Sequence, residues 1–167
     1  MKKALYILAD MDDRDILWIS SAGSIRMLAP GETLIAAGEP VNDLFFVTEG
    51  SLDVTAAGHH VATLTTGDVI GEMSFVEKRP PSASVSAREN AHVLAIPRDA
   101  ILAAFEADQG FAARFYRALA VFLSDRLRTA TSGGEDDGEL DEGLLDSLSQ
   151  AGDRFVRLIG LMEGRIH

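Results

Sequence analysis

The sequence contains no cysteine, which excludes disulfides and thiol chemistry and is compatible with a reducing compartment. Basic residues are few, since 15 Lys and Arg stand against 26 Asp and Glu and the formal net charge at pH 7 is -11. Nonspecific nucleic-acid binding depends on Lys and Arg neutralising phosphates, so this charge argues against it. Long apolar runs are also missing, because the stretch from Ala4 to Ala9 is too short for a membrane span or a signal peptide and ends at Asp10. We therefore expect a soluble, cytoplasmic protein that binds neither membranes nor nucleic acid.

Short apolar runs separated by turn signals fill the first half of the chain. A short helix from Asp10 to Ser20, ended by Gly23, precedes them. The runs are Ile25 to Leu28, Thr33 to Ala36, Leu44 to Thr48, Leu52 to Ala56 and His60 to Leu64, and two further strands follow at Ala83 to Ala87 and His92 to Ile96. Many short strands without helices between them are typical of a β-barrel or jelly roll. The predicted fold class is therefore mainly β with flanking helices.

The stretch from Thr66 to Val85 has the order expected of a ligand pocket: a glycine turn, a short helical run, a proline stop and a strand. Gly67 and Gly71 allow the backbone to turn tightly and approach a ligand. Free amides at the start of a helix favour an anion, so a carboxylate there is better suited to accept a hydrogen bond from a hydroxyl beside that anion. Glu72 takes this position, and a sugar phosphate offers both groups.

The pair Gly71-Glu72, followed about ten residues later by Ser82-Ala83-Ser84, resembles the phosphate-binding cassette of the cyclic nucleotide-binding domain family. The family includes Crp/Fnr-like regulators and kinase regulatory subunits. Further features extend the resemblance to about residues 22 to 131. These features are the turn glycines Gly31, Gly38 and Gly50 and the aromatic strand Phe45-Phe46-Val47.

This resemblance implies that Glu72 takes the ribose 2′-hydroxyl and that backbone amides near Met73 meet the cyclic phosphate of cAMP or cGMP. It further implies that Ser82 assists and that Ser84 lies near the base. The full set of ligand-binding residues assigned in this way is Gly71, Glu72, Met73, Ser74, Arg79, Ser82, Ala83 and Ser84. No catalytic residue, metal or cofactor is expected.

One position departs from the family pattern. Pro81 stands where the family places the Arg that neutralises the phosphate, and Pro has neither a cationic side chain nor an N–H. Arg79 lies two residues earlier, a span of roughly 7 Å in extended chain, and could substitute by folding back over the prolines. Two functions therefore stay open: a cyclic nucleotide sensor whose ligand moves the C-terminal helices, and a dimeric interaction module of the same fold that has lost ligand binding.

Metal enzymes of the cupin type resemble this strand pattern, but they need two or more His and a carboxylate inside the barrel. Only four His occur, and the adjacent His59 and His60 would point to opposite faces of a strand. We place them at a solvated hairpin tip.

Two helices are predicted after Pro97, one from Arg98 to Glu106 and a longer one from Gly110 to Ala130. The longer helix carries two apolar stripes: Phe111, Phe115, Ala118 and Phe122 on one, and Tyr116, Leu119, Leu123 and Leu127 on the other. One stripe covers the barrel and the other needs a partner. In the family this helix commonly forms the dimer interface, so we predict a homodimer through Phe111 to Leu127. The alternative is that the last segment of the same chain covers the second stripe. Arg114 and Arg117 are interpreted as an exposed helix face.

The chain is divided into a domain at 1–131, an acidic linker at 132–143 and a helical tail at 144–167. Seven acidic residues between Glu135 and Asp146, with no basic residue among them, follow Ser132-Gly133-Gly134 and indicate a flexible linker. Two short amphipathic helices are predicted, at Leu140 to Leu148 and Asp153 to Met162, the second with Phe155, Leu158, Ile159 and Met162 on one face. Neither is a basic recognition helix, so we expect no helix-turn-helix and no direct DNA binding.

Overall fold

A computed structural model describes residues 11–131, 153–154, 156–162 and 164. The predicted acidic linker and the predicted helix at Leu140 to Leu148 lie outside the described residues. Within them, no helix combines the length and the apolar character that crossing a bilayer requires.

Twelve helices and strands follow one another between residues 13 and 131. They are α1 (Asp13–Ala22), β1 (Ser24–Leu28), β2 (Thr33–Ile35), β3 (Asp43–Glu49), β4 (Ser51–Ala56), β5 (His59–Thr65), β6 (Val69–Ile70), α2 (Glu72–Glu77), β7 (Ser84–Ala87), β8 (Ala91–Pro97), α3 (Arg98–Ala107) and α4 (Gln109–Thr131). Residues 153–154 and 156–162 are also helical, and we name this part of the chain α5.

The strands form two four-stranded sheets, in the orders β1-β8-β3-β6 and β2-β7-β4-β5, and every pairing is antiparallel. This confirms the predicted jelly roll with flanking helices. Each predicted strand matches an observed one with both ends within one residue. The two-residue strand β6 was missed because it lies inside the glycine turn, and Pro97 ends β8 and caps α3 instead of beginning it.

Strand β3 is buried on both faces and so separates two hydrophobic clusters. Successive strand residues point to opposite sides of a sheet, so Phe45 and Val47 face the second sheet while Leu44 and Phe46 face the helices. The first group belongs to what we name the barrel cluster: Leu28, Ile35, Phe45, Val47, Leu52, Leu64, Ile70, Val85, Ala87, Ala91, Val93 and Ala95.

The second group belongs to the helical cluster, which gathers residues of every described helix on one face of the first sheet. Its members are Met11, Ile16, Ile19, Leu44, Phe46, Val69, Phe75, Leu94, Ile96, Ile101, Phe105, Phe111, Phe115, Ala118, Leu119, Leu158 and Met162. The last two come from α5, where their exposed fractions are only 1% and 3%. An ion pair of 2.9 Å between Arg157 Nη1 and Asp13 Oδ1 places α5 beside the first turn of α1.

The two predicted stripes of α4 do not stay separate. Leu119, assigned to the second stripe, is buried in the helical cluster together with Phe111 and Phe115. Tyr116 and Leu127 remain 46% and 66% exposed. The tail therefore contributes to the same cluster as α4, and part of the second stripe still faces outward.

Arg114 is not on an exposed face, and this prediction was wrong. Its Nε and Nη2 atoms each donate a hydrogen bond of 2.9 Å to the carboxylate of Asp15, which is buried in α1. The sequence spacing with Arg117 could not reveal a partner 99 residues away. This bidentate pair raises the pKa of Arg114 above its ordinary value and fixes α4 against α1.

The same pair is continuous with the cap of α1. Asp12 and Asp15 form a capping box in which the backbone N–H of each donates to the side chain of the other at 3.0 Å. The hydrogen bond from the Asp15 amide lowers the pKa of Asp12, and the charge of Arg114, 3.9 Å away, lowers it further. Helix α1 is thus held by its own cap and by α4.

Candidate functional site

The start of α2 is set by a glycine that no other residue could replace without strain. Gly71 has φ 92° and ψ 5° and caps the helix in the left-handed region. A Cβ there would lie 3.0 Å from the Asp43 carbonyl oxygen and 3.4 Å from Val41 Cγ1. Both the φ angle and the close approach therefore require glycine, as the sequence predicts.

Glu72 is the first residue of α2 and is 5% exposed. The Phe75 amide donates to the Gly71 carbonyl at 3.0 Å, so helix geometry leaves the amides of residues 72–74 without intrahelical acceptors. A buried carboxylate beside these amides is the arrangement expected for a ligand that carries a hydroxyl next to an anion.

The remaining predicted residues of the helix and the loop after it are more exposed. Met73 is 52% exposed and Ser74 is partly buried. The Arg79 side chain is 82% exposed, and its Nε lies 3.9 Å from the Glu77 carboxylate. Arg79 therefore lies in solvent here and has not folded back over the prolines.

The segment that enters β7 is fixed to the loop after β2. The Gly38 amide donates to the Pro81 carbonyl at 2.8 Å, and the Ala37 amide donates to Ser84 Oγ at 3.0 Å. Ser82 is exposed and Ala83 is partly buried. The Ser84 hydroxyl keeps its hydrogen, so it remains able to donate to a ligand.

A cavity of about 290 Å³ is lined by residues of β1, β2, β3 and the loop after β2. Its lining residues are Arg26, Thr33, Leu34, Ile35, Ala36, Glu39, Pro40, Val41, Asn42, Asp43 and Phe45. None of the eight predicted ligand-binding residues is among them, although Val41 and Asp43 also lie against Gly71. The cavity therefore borders the cassette but does not itself locate the predicted ligand.

Arg98 contacts the cassette helix, and the sequence analysis did not single it out. Its Nη2 donates to the Phe75 carbonyl at 3.3 Å, and its guanidinium carbon lies 5.6 Å from the centre of the Phe75 ring. Its Nε is buried and finds no hydrogen-bond partner among the described residues. The one signal in the sequence is a cation directly after the last strand, at the start of α3.

Phe75 also connects α2 to the C-terminal helices through ring contacts. Its ring centroid lies 6.2 Å from that of Phe105 on α3 and 5.5 Å from that of Phe115 on α4. Phe105 and Phe115 are 5.3 Å apart, and Trp18 on α1 packs 5.2 Å from Phe111. A displacement of α2 would therefore meet α3 and α4 directly.

The histidines at the β4–β5 hairpin form a surface network rather than a catalytic relay. His60 Nε2 lies 3.2 Å from Asp53 Oδ1 and 3.0 Å from Thr63 Oγ1, so one nitrogen serves both partners. A relay would use both ring nitrogens. In the part of the chain that the structure describes, no three metal-ligating side chains converge.

Comparison with known proteins gives the family. The profile described as "Cyclic nucleotide-binding domain" matches residues 25–108, which is half of the chain. "Glutaminase 2" of Bradyrhizobium diazoefficiens is 33% identical over 75% of this chain and 20% of its own length. The "cAMP-dependent protein kinase regulatory subunit" of Yarrowia lipolytica is 29% identical over 58% of this chain and 26% of its own length. The chain thus spans about a quarter or less of these two relatives.

The fold agrees with this assignment. A crystal structure of a cyclic nucleotide-binding domain from Methylobacillus flagellatus KT superposes with a TM-score of 0.70 at 21% identity, covering 83% of this chain and 85% of that one. Its likeness concerns the fold alone, and the profile match concerns the sequence. The profile match over half of the chain shows that this chain belongs to the cyclic nucleotide-binding domain family.

Proposed function

We propose that this chain is a regulatory sensor module that binds a cyclic nucleotide at the cassette and passes the binding event to α3 and α4. The observation that carries the proposal is the position of α2. Its first residue, Glu72, is a buried carboxylate at the amino end of the helix, and its fourth, Phe75, packs on α3 and α4. Helix α2 thus contacts both the expected ligand position and the helices α3 and α4, whose movement is the expected response.

Coupling requires the ligand to favour one helix arrangement over another. A ligand held by Glu72 and the first amides of α2 would pull that helix toward the barrel, and Phe75 would move with it. Arg98 would follow, because its guanidinium donates to the Phe75 carbonyl. The expected response is a shift of α3 and α4 against the first sheet, which needs no catalysis by this chain.

A second candidate function is an interaction module that has lost the ligand. Pro81 favours it, because this position offers no cation and its carbonyl already accepts the Gly38 amide. Arg79, the nearest guanidinium along the chain, lies in solvent. A phosphate would then rely on neutral amide donors and would lack the oppositely charged, bidentate partner that an Arg supplies.

We further propose that the module forms a homodimer through the outward part of α4. Tyr116 and Leu127 are exposed, and with Leu123 they follow a helical stripe. Sedimentation velocity compares wild type with Leu127→Asp, which should be monomeric at concentrations where wild type dimerises. If wild type stays monomeric at the highest concentration that sedimentation velocity allows, the interface is contradicted.

Titration calorimetry with cAMP and with cGMP tests the sensor. We expect saturable binding by wild type in the micromolar range and at least tenfold weaker binding by Glu72→Gln, which keeps the side-chain shape but removes the charge. Glu77→Gln is the matched control, because Glu77 ends the same helix with its side chain 52% exposed. A flat trace for wild type with both ligands at millimolar concentration would reject the sensor and favour the interaction module.

Pro81→Arg separates the two candidates further. If the cassette keeps the ligand geometry, a guanidinium at this position should tighten cyclic nucleotide binding by tenfold or more, since it adds a charged partner for the phosphate. Pro40→Arg, a surface loop change outside the cassette, is the control for added charge alone. An equal gain from both variants would show a general electrostatic effect instead of a restored contact.

A further inference from the structure

Among its described residues, the C-terminal helix α5 packs on the domain through one side. Leu158 and Met162, four residues apart, are buried in the helical cluster, Ile159 and Leu161 are partly buried against it, and Arg157 pairs with Asp13 on α1. The opposite face is open: Val156 is 71% exposed, and a Cβ on Gly160 would meet no atom within 4 Å. Helix α5 is therefore held on one side only.

This helix has little intrinsic stability. It has a glycine, a poor helix former, in its interior, and helices in proteins gain most of their stability from the packing of an apolar face. Its helical form therefore depends on the surface beneath it. Helix α5 therefore folds as it binds to this surface, as a peptide ligand that folds on binding does. Such a segment can be replaced by another helix that fits the same surface.

We propose that α1 and the adjoining helical cluster form a docking surface for an amphipathic helix, and that α5 occupies this surface in cis. The chemistry of α5 defines the partner that fits: a basic residue directly before a leucine, with a second large apolar residue four positions later. The basic residue meets Asp13 at the acidic first turn of α1, and the two apolar residues fill the positions of Leu158 and Met162. A partner helix with this pattern would displace α5.

The physical basis is competition between tethered and free ligands. A segment tethered to its own surface acts at an effective concentration in the millimolar range, so it blocks a free helix of equal intrinsic affinity. Weakening the tethered copy should therefore open the surface without changing the surface itself. This inference does not depend on cyclic nucleotide binding, because its ion pair lies on α1 and its test uses no nucleotide.

The test uses the full chain and a fluorescently labelled peptide of residues 150–167. The opened variant is Leu158→Ala/Met162→Ala, and the control is Val156→Ala, which alters the exposed face of the same helix. We expect fluorescence anisotropy to show at least tenfold tighter peptide binding to the opened variant than to wild type or the control. Asp13→Arg added to the opened variant should weaken binding at least fivefold, and the peptide carrying Arg157→Asp should recover part of that loss.

Equal or absent peptide binding to all three proteins, with the opened variant folded by circular dichroism, would overturn the proposal. Sedimentation equilibrium of unlabelled wild type is measured with and without the peptide, because α5 bound within one chain predicts that the peptide dissociates no oligomer. A dimer that the peptide dissociates would identify a second copy as the occupant and also overturn the proposal. If the opened variant is unfolded, hydrogen exchange of Arg157→Asp decides. Amides 157–162 should then exchange at least fivefold faster than in wild type, and unchanged exchange would contradict the proposal.

Discussion

The barrel cluster and the helical cluster share one sheet but are held together by different forces. The barrel cluster is lined by strands whose backbones are paired in two antiparallel ladders, and its side chains are aliphatic apart from Phe45. The helical cluster contains several aromatic rings, and its helices are joined to one another by side chains: ring contacts, the Arg114–Asp15 pair and the Arg157–Asp13 pair. Backbone ladders fix the barrel, whereas the described helices are joined to one another mainly through side chains.

This difference bears directly on the proposed sensing. A strand cannot slide by one residue without moving its whole apolar face to the wrong side. Helices packed through side chains have several arrangements of similar energy, and small shifts between them are a common form of switching. Helix α2 lies between the two regions, because it follows Ile70 of the barrel cluster and carries Phe75 of the helical cluster. A ligand bound at α2 would therefore act on the helical side from the edge of the barrel.

The largest expected effect comes from truncating one buried residue in each cluster. Phe115→Ala and Leu52→Ala should lower the free energy of unfolding by about 3–5 and about 2–5 kcal/mol, since each leaves a cavity at a site with no more than 1% exposure. Chemical denaturation measures both losses. Tyr116→Ala, at the exposed neighbouring position of α4, is the control and should cost less.

Hydrogen exchange then distinguishes the two regions. In Phe115→Ala we expect faster exchange in α1, α3 and α4, while the amides paired between β3 and β8 keep their protection relative to global stability. In Leu52→Ala the loss should be global. If Phe115→Ala loosens the β3–β8 ladder as much as the helices, the two clusters are one cooperative unit and the comparison fails.

A smaller effect is expected from Arg114→Met, which removes the partner of a buried carboxylate. Breaking a buried ion pair costs about 3–5 kcal/mol, but the Arg114 side chain is 34% exposed, so we expect about 2–3 kcal/mol after allowing for solvent screening. Arg117→Met, on the exposed side of the same helix, is the matched control and should stay within about 0.5 kcal/mol. Denaturant midpoints measure the difference.

A double-mutant cycle completes this test. Asp15→Asn combined with Arg114→Met should cost less than the sum of the two single changes, because the second change removes the group that the first leaves unpaired. Additive losses would show that the pair does not hold α4 to α1. The helices would then depend on apolar contacts alone.

The sequence was sufficient to predict the strands, because their signal is local. Turn glycines and alternating or continuous apolar runs occur within a few residues, and every predicted strand was observed. The start of the cassette was equally accessible, since the left-handed Gly71 and the buried Glu72 follow from a short motif. Only the very short β6 escaped, because two residues inside a turn carry no periodicity.

The features that sequence reasoning missed depend on long-range pairing. Nothing near Arg114 in the chain indicates Asp15, and nothing near Arg98 indicates the Phe75 carbonyl, 23 residues earlier. An Arg on a helix is usually solvated, so the local interpretation of Arg114 was the expected one and only tertiary packing overrode it. The burial of Leu119 and Leu158 in one cluster, by contrast, corresponds to the alternative in which the last segment covers the second stripe of α4.

The smallest predicted effect concerns the acid response of the α1 cap. The amide of Asp15 and the charge of Arg114 lower the pKa of Asp12 in the folded protein below its ordinary value of 3.8. A group with a depressed folded pKa stabilises the fold above its unfolded pKa, and this stabilisation is lost as the pH falls through the folded pKa. Stability measured by thermal unfolding should therefore decline below about pH 4. Asp12→Asn keeps a capping oxygen but does not titrate, so its decline should be shallower than that of wild type. Asp99→Asn, in the first turn of α3 where the N-cap is Pro97, serves as the control for charge. Parallel acid curves for wild type and Asp12→Asn would show that the cap does not contribute to the acid sensitivity of the helical side.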